Sequence, residues 1–385
     1  MSKIDKGYIQ LNKFGEELCG DNISVKEDDN SIVITLADGL GSGVRANILS
    51  ILTSKILSTM LSENVSIEEC VATIANTLPV SKELDVAYST FTSICMDDTG
   101  SGYIIEYDNP LAFLVRNGKC YDFDRKEILV DNKKIYETKI HIVEGDYIVC
   151  MSDGATHAGV GITLDVGWSR EAIMEHLNRH IKVGMSASDL SLLVVSACND
   201  LYLGEPSDDT TCMAVGLVKE ACTTVMIGPP SKKEVDDLVC KTLIDSRGAK
   251  IVCGGTTAKL IARYLDKPID MNYPIYDDKV PPISAIEGID LVTEGAVTIN
   301  EVVKKLKLYL NRTIIEGKTF DELDGASLIC DYLINKSTTV NLLIGQTINV
   351  ANEDSLIGVE DKQKNIRFLI KYLKQAGKTV NARFY

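Results

Sequence analysis

The chain holds no sustained run of lysine and arginine, and its formal net charge is −15. Phosphate backbones reward basic side chains, so nucleic acid is excluded as the main partner. No apolar stretch approaches the roughly 20 residues that a bilayer-spanning helix needs, which excludes a membrane span. No Cys-x-x-Cys pair occurs among the eleven cysteines. With no secretory signal read at the start, the expected setting is a reducing cytoplasm and not a disulfide scaffold. Cys19, Cys95, Cys150, Cys198, Cys212, Cys253 and Cys330 lie mostly in apolar segments and are expected as small buried hydrophobes. Histidine is scarce: only His141, His157, His176 and His180. The last two are spaced i, i+4 on an expected helix. No acidic motif stands beside them, so they are assigned to the helix surface and not to a metal. No internal repeat or low-complexity segment is present.

What is present is a set of four short acidic motifs: Gly20-Asp21-Asn22, Ala37-Asp38-Gly39, Ser152-Asp153-Gly154 and Ser207-Asp208-Asp209-Thr210. Asp38 and Asp153 each follow an apolar run of strand character, at 32–36 and 147–151. A carboxylate at a strand's end stays off the hydrophobic face. The glycine behind it allows a sharp turn, or a close approach of its carbonyl to an ion. One Asp-Gly pair is ordinary turn chemistry. Four such motifs in one half favour a site for hard divalent cations, which take oxygen ligands and keep several waters. Such a site points to hydrolysis by a metal-activated water.

On these motifs, read as Gly20-Asp21-Asn22, Ala37-Asp38-Gly39-Leu40-Gly41-Ser42-Gly43, Ser152-Asp153-Gly154 and Asp208-Asp209-Thr210-Thr211, residues 1–218 resemble the metal-dependent protein phosphatases, the PPM or type 2C family. The bacterial branch typified by the stage II sporulation protein E catalytic domain is the nearest match. The resemblance implies two central antiparallel sheets flanked by helices, with a two-metal centre at one end of the sandwich. It implies that Asp21 and Asp38 hold a pair of Mn²⁺ or Mg²⁺ ions, with the Gly39 carbonyl assisting. Asp153 and Asp208 would complete the catalytic set, and Asp209 would stand behind the ligands, where many relatives carry asparagine. Many relatives also have a histidine after Asp-Gly as general acid. Here that place is Ser42, a poor proton donor near neutral pH, which leaves protonation of the leaving alcohol to water. Arg45 reads equally as a contact to substrate phosphate and as a solvated residue at a helix start.

Along the first 218 residues, helices are expected at 44–61, 67–78 (ended by Pro79), 168–181 and 187–203. Strands are expected at 89–96, 101–107, 112–116, 127–129, 140–143 and 211–218. Asn117-Gly118 and Glu144-Gly145-Asp146 mark turns. Hairpins without regular alternation suit an antiparallel α+β layer fold. After a polar joint at 219–222 the grammar changes. Strands at 223–227, 250–253, 289–292, 340–344 and 379–383 alternate with helices at 233–245, after 257 to 265, at 300–310, 322–335 and 361–376. An irregular loop covers 271–282. This regularity predicts an α/β domain over 222–385 with a mostly parallel sheet and helices on both faces.

In such a sheet, ligands bind beyond the carboxyl ends of the strands. The loops there include 228–232, 254–257 and 293–295. Gly254-Gly255-Thr256-Thr257 before a helix is the candidate anion site, because glycines expose amides, threonines add hydroxyls and the helix start carries partial positive charge. Lys232 in a neighbouring loop is a candidate cation for it. A tight strand-to-helix turn explains the same residues equally well. The loop is neither a Walker loop nor a dinucleotide fingerprint.

The expected function is a cytoplasmic protein serine/threonine phosphatase acting on a phosphorylated bacterial signalling protein. The second domain would bind a small anionic ligand or a partner and regulate it. The alternative is a sensory or scaffolding protein whose phosphatase-like domain turns over weakly; Ser42 is the residue that favours it.

Overall fold

The computed structural model describes residues 2–28, 30–77, 89–130, 133–182, 184–270, 284–293, 295–310, 324–346 and 355–385. Pro79, the expected loop at 271–282, Glu294 and the expected helix start at 322 lie outside them. The chain divides into two compact units, Met1–Lys219 and Glu220–Tyr385.

The first unit runs β1 (Ser2–Leu11), β2 (Asp21–Glu27), β3 (Ser31–Asp38), α1 (Gly43–Ser62), α2 (Ile67–Thr77), β4 (Thr90–Asp97), β5 (Ser101–Tyr107), β6 (Phe113–Arg116), β7 (Lys119–Tyr121), β8 (Lys126–Val130), β9 (Lys133–His141), β10 (Tyr147–Met151), α3 (Asp153–Thr156), α4 (Arg170–His180), α5 (Ala187–Leu201) and β11 (Thr210–Lys219). Its strands form two antiparallel sheets, ordered β1-β11-β10-β6-β7 and β2-β3-β4-β5-β9-β8. β3 shows why. Its side chains alternate, and both faces are covered. Ile32, Ile34 and Leu36 pack with Ile148, Cys150, Met213 and Val215 of the other sheet. Val33 and Ala37 pack with Leu57 and Leu61 of α1 and with Val71 and Ile74 of α2. A strand buried on both faces reads as one apolar run, which is how β3, β10 and β11 stand out in the sequence.

Four strands depart from the sequence expectations, one of them β7, ahead of which only the Asn117-Gly118 turn was read. β1 and β2 carry Lys3, Asp5, Lys6, Asp21 and Lys26, so no apolar run marks them. They are fixed by pairing instead: β1 lies along the whole of β11 and β2 along β3. Asp5 is tolerated inside because its carboxylate accepts from Tyr147 Oη (3.1 Å) and the Ala187 amide (2.8 Å). Gly7 clears the first turn of α5, where a Cβ would run into Ser188. β9 spans Lys133–His141, where only its last residues were expected as strand. Polar residues interrupt it, and its buried Ile135 and Ile140 pack on opposite faces of the sheet, so it lacks a continuous apolar signal.

The second unit runs β12 (Cys222–Ile227), α6 (Asp236–Ile244), β13 (Ala249–Cys253), α7 (Gly255–Leu265), β14 (Leu291–Thr293), α8 (Ala296–Leu310), α9 (Gly325–Ile334), β15 (Thr339–Ile344), α10 (Ser355–Gln375) and β16 (Thr379–Phe384). The five strands are all parallel, ordered β14-β13-β12-β15-β16. Helices cover both faces. Met226, Val252 and Leu343 meet α6 and α7. Val225, Ile227, Ile251 and Leu342 meet α8, α9 and α10. α8 starts four residues earlier than its apolar pattern indicated, directly behind Gly295.

Each unit thus carries hydrophobic clusters of its own. Produced separately, 1–219 and 220–385 are expected to unfold with single cooperative transitions in thermal circular dichroism. A fragment that melts without a transition would show that its core is completed by the other half.

Candidate metal centre

Four carboxylates come from the ends of two strand pairs, one pair in each sheet of the first unit. Asp21 opens β2 and Asp38 closes β3, and the antiparallel register sets them directly opposite each other. Asp153 begins α3 one residue beyond β10, and Asp208 lies just ahead of β11. β10 and β11 are neighbours in their sheet, so the sandwich brings the two pairs to one end.

The electrostatics show how closely they converge. Burial pushes the Asp38 carboxyl up to about 10, and Asp21, Asp153 and Asp208 all add to the rise through their charges. Burial also pushes Asp21 up, to about 6, although hydroxyls of Thr211 and Ser152 oppose the shift. Asp208 is raised by burial and by Asp153, with Lys13 acting against it. Asp21 is 2% exposed. Its Oδ2 accepts from Ser152 Oγ (2.7 Å) and Thr211 Oγ1 (2.6 Å), while its Oδ1 is buried without a hydrogen bond. A buried carboxylate oxygen left bare among other carboxylates is a place for a cation. The donor set, oxygen throughout at these four aspartates, fits a hard divalent ion such as Mg²⁺ or Mn²⁺.

Close backbone packing explains the glycines. Gly39 lies against α1, and a Cβ there would run into the Ala46 carbonyl. Its amide donates to the Gly20 carbonyl at 3.1 Å. Gly154 leaves no room for a Cβ because of the Asp209 carbonyl, and Tyr202 Oη donates to the Gly154 carbonyl at 2.7 Å. Asp209 is engaged by backbone amides, and its charge also acts on Asp21 and Asp208. It is 4% exposed, and its two oxygens accept from the amides of Lys13 (2.9 Å) and Gly20 (2.7 Å). It thereby ties the loop ahead of Asp21 to the start of β11. Arg45 is exposed in the first turn of α1, and Ser42 precedes that helix without capping it through its side chain. The remaining candidates belong to the other unit: Gly254 follows β13, and Gly255, Thr256 and Thr257 form the first turn of α7.

Sequence reasoning missed several members. His157 caps α3, with Nδ1 3.7 Å from Asp153 Oδ2. One ligand atom from each of Asp153, His157 and Asp208 lies within 4.8 Å of the others. The i, i+4 spacing from Asp153 to His157 was the available signal. Ser152 and Thr211 stand within the motifs but were given no role, and Lys13, beyond the end of β1, carried no signal. His176 and His180 stack on each other in α4 (ring centroids 4.3 Å apart), and Trp168 stands edge-on to His176.

Residues 28–218, about half of the chain, match the family described as Stage II sporulation protein E (SpoIIE). Among curated proteins, the chain is 43% identical over 63 residues to the phosphoserine phosphatase RsbX of Bacillus subtilis (strain 168). That stretch is 16% of this chain and 32% of RsbX, so the chain spans about a third of the length of this relative. Among solved structures, the PP2C phosphatase domain of SpoIIE from Bacillus subtilis, with a fragment of its regulatory domain, aligns at a TM-score of 0.49 and 18% identity, over 56% of this chain and 64% of that one. RsbX in complex with magnesium aligns at 0.39 and 21% identity, over 56% of this chain and 95% of that one.

Asp209→Ala is expected to leave the Lys13 and Gly20 amides without their acceptor. Each buried orphan costs about 1–3 kcal/mol, so thermal unfolding should move to lower temperature. Asp209→Asn keeps one oxygen and should lose less. Equal melting of wild type and the alanine variant would mean that water replaces the carboxylate fully.

Proposed function

We propose that the first unit, whose residues 28–218 belong to the stage II sporulation protein E family, is a metal-dependent protein serine/threonine phosphatase. The observation that carries this reading is the convergence of Asp21, Asp153 and Asp208 on Asp38, together with the bare, buried Oδ1 of Asp21. Four carboxylates at one end of a sandwich repel one another, and Lys13 is the cation that acts on Asp208. Two divalent ions, Mn²⁺ or Mg²⁺, would supply the missing positive charge. When bound, they acidify water and neutralise phosphoryl oxygens, which is the chemistry that phosphate-ester hydrolysis requires.

The chain's own residues prepare that site. Ser152 and Thr211 hold Asp21 by one oxygen and leave the other for a metal. Gly39 brings the strand-end backbone against α1, so its carbonyl is available to assist. Asp209 fixes the Gly20 amide, one residue ahead of Asp21. Arg45, exposed at the start of α1, is the side chain suited to a substrate phosphate. The substrate class is a phosphoserine or phosphothreonine protein of bacterial signalling. The short match to a protein named as a phosphoserine phosphatase supports this. A cytoplasmic setting is supported by eleven cysteines that are all free thiols. Among the described residues no helix is long and apolar enough to cross a membrane.

The test is hydrolysis of para-nitrophenyl phosphate and of a phosphoserine peptide, with and without Mn²⁺. Wild type is expected to be active only with the metal. Asp38→Asn should fold and lose more than the roughly 10–100-fold that removing an outer partner of a metal ligand costs. Asp153→Asn and Asp208→Asn should behave similarly. Turnover near wild type, with Mn²⁺ affinity unchanged by calorimetry, would sink the assignment.

A further inference from the structure

Two helices of the second unit begin in the same way and end up differently satisfied. At α9 the residue ahead of the helix is Asp324, and Gly325, Ala326 and Ser327 form the first turn. The Asp324 carboxylate accepts from the amides of Ala326 and Ser327, both at 2.9 Å, and from Ser327 Oγ at 2.6 Å. Lys305 Nζ lies 3.4 Å from it. Two amides and the hydroxyl of the third helical residue therefore hold one carboxylate, which the chain itself provides.

At α7 the residue ahead of the helix is Gly254, and Gly255, Thr256 and Thr257 form the first turn. The third helical residue again carries a hydroxyl. No side chain caps this helix, because glycine has none to offer. The first amides of a helix have no acceptor within it. Thr257 is 0% exposed, and its Oγ1 has no hydrogen-bond partner. It stands over the helix start: a Cβ on Gly254 would come 3.0 Å from it. Gly254 holds φ +117°, which side-chain-bearing residues rarely adopt. Gly254 and Gly255 are partly exposed and Thr256 is exposed, so the turn is open to solvent. The neighbouring strand end repeats the spacing. Gly295 precedes Thr298 by three residues, Thr298 Oγ1 is also buried without a partner, and a Cβ on Gly295 would come 3.2 Å from Gly254 Cα. Both lie at the carboxyl edge of the parallel sheet, where open α/β sheets bind ligands.

We propose that the first turn of α7 is an oxyanion site, in which the phosphate or carboxylate group of a small metabolite takes the place that Asp324 fills at α9. The amides of the first turn and the Thr257 hydroxyl are its donors, and the absent side chain of Gly254 lets the ligand approach the backbone. The residues are those of a tight strand-to-helix turn. A turn alone, however, would leave a fully buried hydroxyl unsatisfied, at a cost that a valine in its place would avoid.

The experiment is calorimetric titration of the full chain, stripped of metal with EDTA and then dialysed free of the chelator, with inorganic phosphate and with acetate as separate probes at constant ionic strength. Metal removal keeps the first unit's metal centre from contributing. Wild type and Thr257→Ser are expected to bind, and Thr257→Val to bind about tenfold more weakly, as loss of a hydrogen bond to a charged group predicts. Gly255→Pro deletes one amide at a position where proline suits a helix start, and it should weaken binding in the same sense; it serves as well if the valine variant does not fold. Binding of phosphate in this pattern assigns a phosphorylated ligand, and binding of acetate alone assigns a carboxylate. If neither anion binds wild type, or if Thr257→Val and Gly255→Pro bind like wild type, the proposal is overturned.

Discussion

Like charge gathered at one end of a sandwich is the constraint around which the first unit is built. Asp38 feels Asp21, Asp153 and Asp208 together, and each lies where a strand ends or is about to begin. That placement satisfies two demands. The strands keep their apolar faces for the space between the sheets, and the carboxylates stay off those faces. The pairing of Asp21 with Asp38 is a property of register. A slip of one residue would turn every side chain of β2 to the opposite face. The core and the charged cluster therefore specify the same alignment. The glycines follow from close packing at these strand ends, with no room for a Cβ at Gly39 because of the Ala46 carbonyl of α1 or at Gly154 because of the Asp209 carbonyl.

The division between what sequence discloses and what it hides follows from the same geometry. β3, β10 and β11 are buried on both faces and announce themselves as apolar runs. Asp38, Asp153 and Asp208 are visible because each adjoins one. β1 and β2 are strands by partnership, with charged residues along them, and nothing local marks them. Asp21 was found only through its motif. Ser152 and Thr211 stand inside the motifs, but their role was hidden for a further reason. A serine and a threonine are unremarkable until the register of β10 and β11 brings both to Asp21 Oδ2. His157 sits between these cases. Its spacing from Asp153 was legible, but a four-residue helix gives no periodic signal to suggest that spacing mattered.

In the second unit the alternation of strands and helices was legible, while the strand order was not. Nothing local tells β15 to lie beside β12 and not beside β14. That choice follows from crossovers that place α6 and α7 on one face and the later helices on the other. The contrast between α9 and α7 was partly legible, since Asp324 and Gly254 hold equivalent places ahead of their helices. The buried hydroxyl of Thr257 needed coordinates, because threonine in a first turn is ordinary until its surroundings are known.

The two units present opposite chemistry under one net charge. The excess of −15 belongs to the first unit, acidic and basic residues being equal in number over 220–385, and such a field fades beyond about 8–10 Å at ordinary ionic strength. Cations gain from that field at the aspartate cluster. An anion at α7 would find no net charge on its own unit to draw it in, so the attraction proposed there has to be short-ranged and made of aimed donors. Backbone amides and a hydroxyl meet that requirement, since they act within hydrogen-bond distance and carry no net charge. Such a site discriminates by shape and acceptor geometry more than by charge. Affinity at α7 should accordingly depend weakly on salt, whereas a site made of surface lysines would lose it steeply.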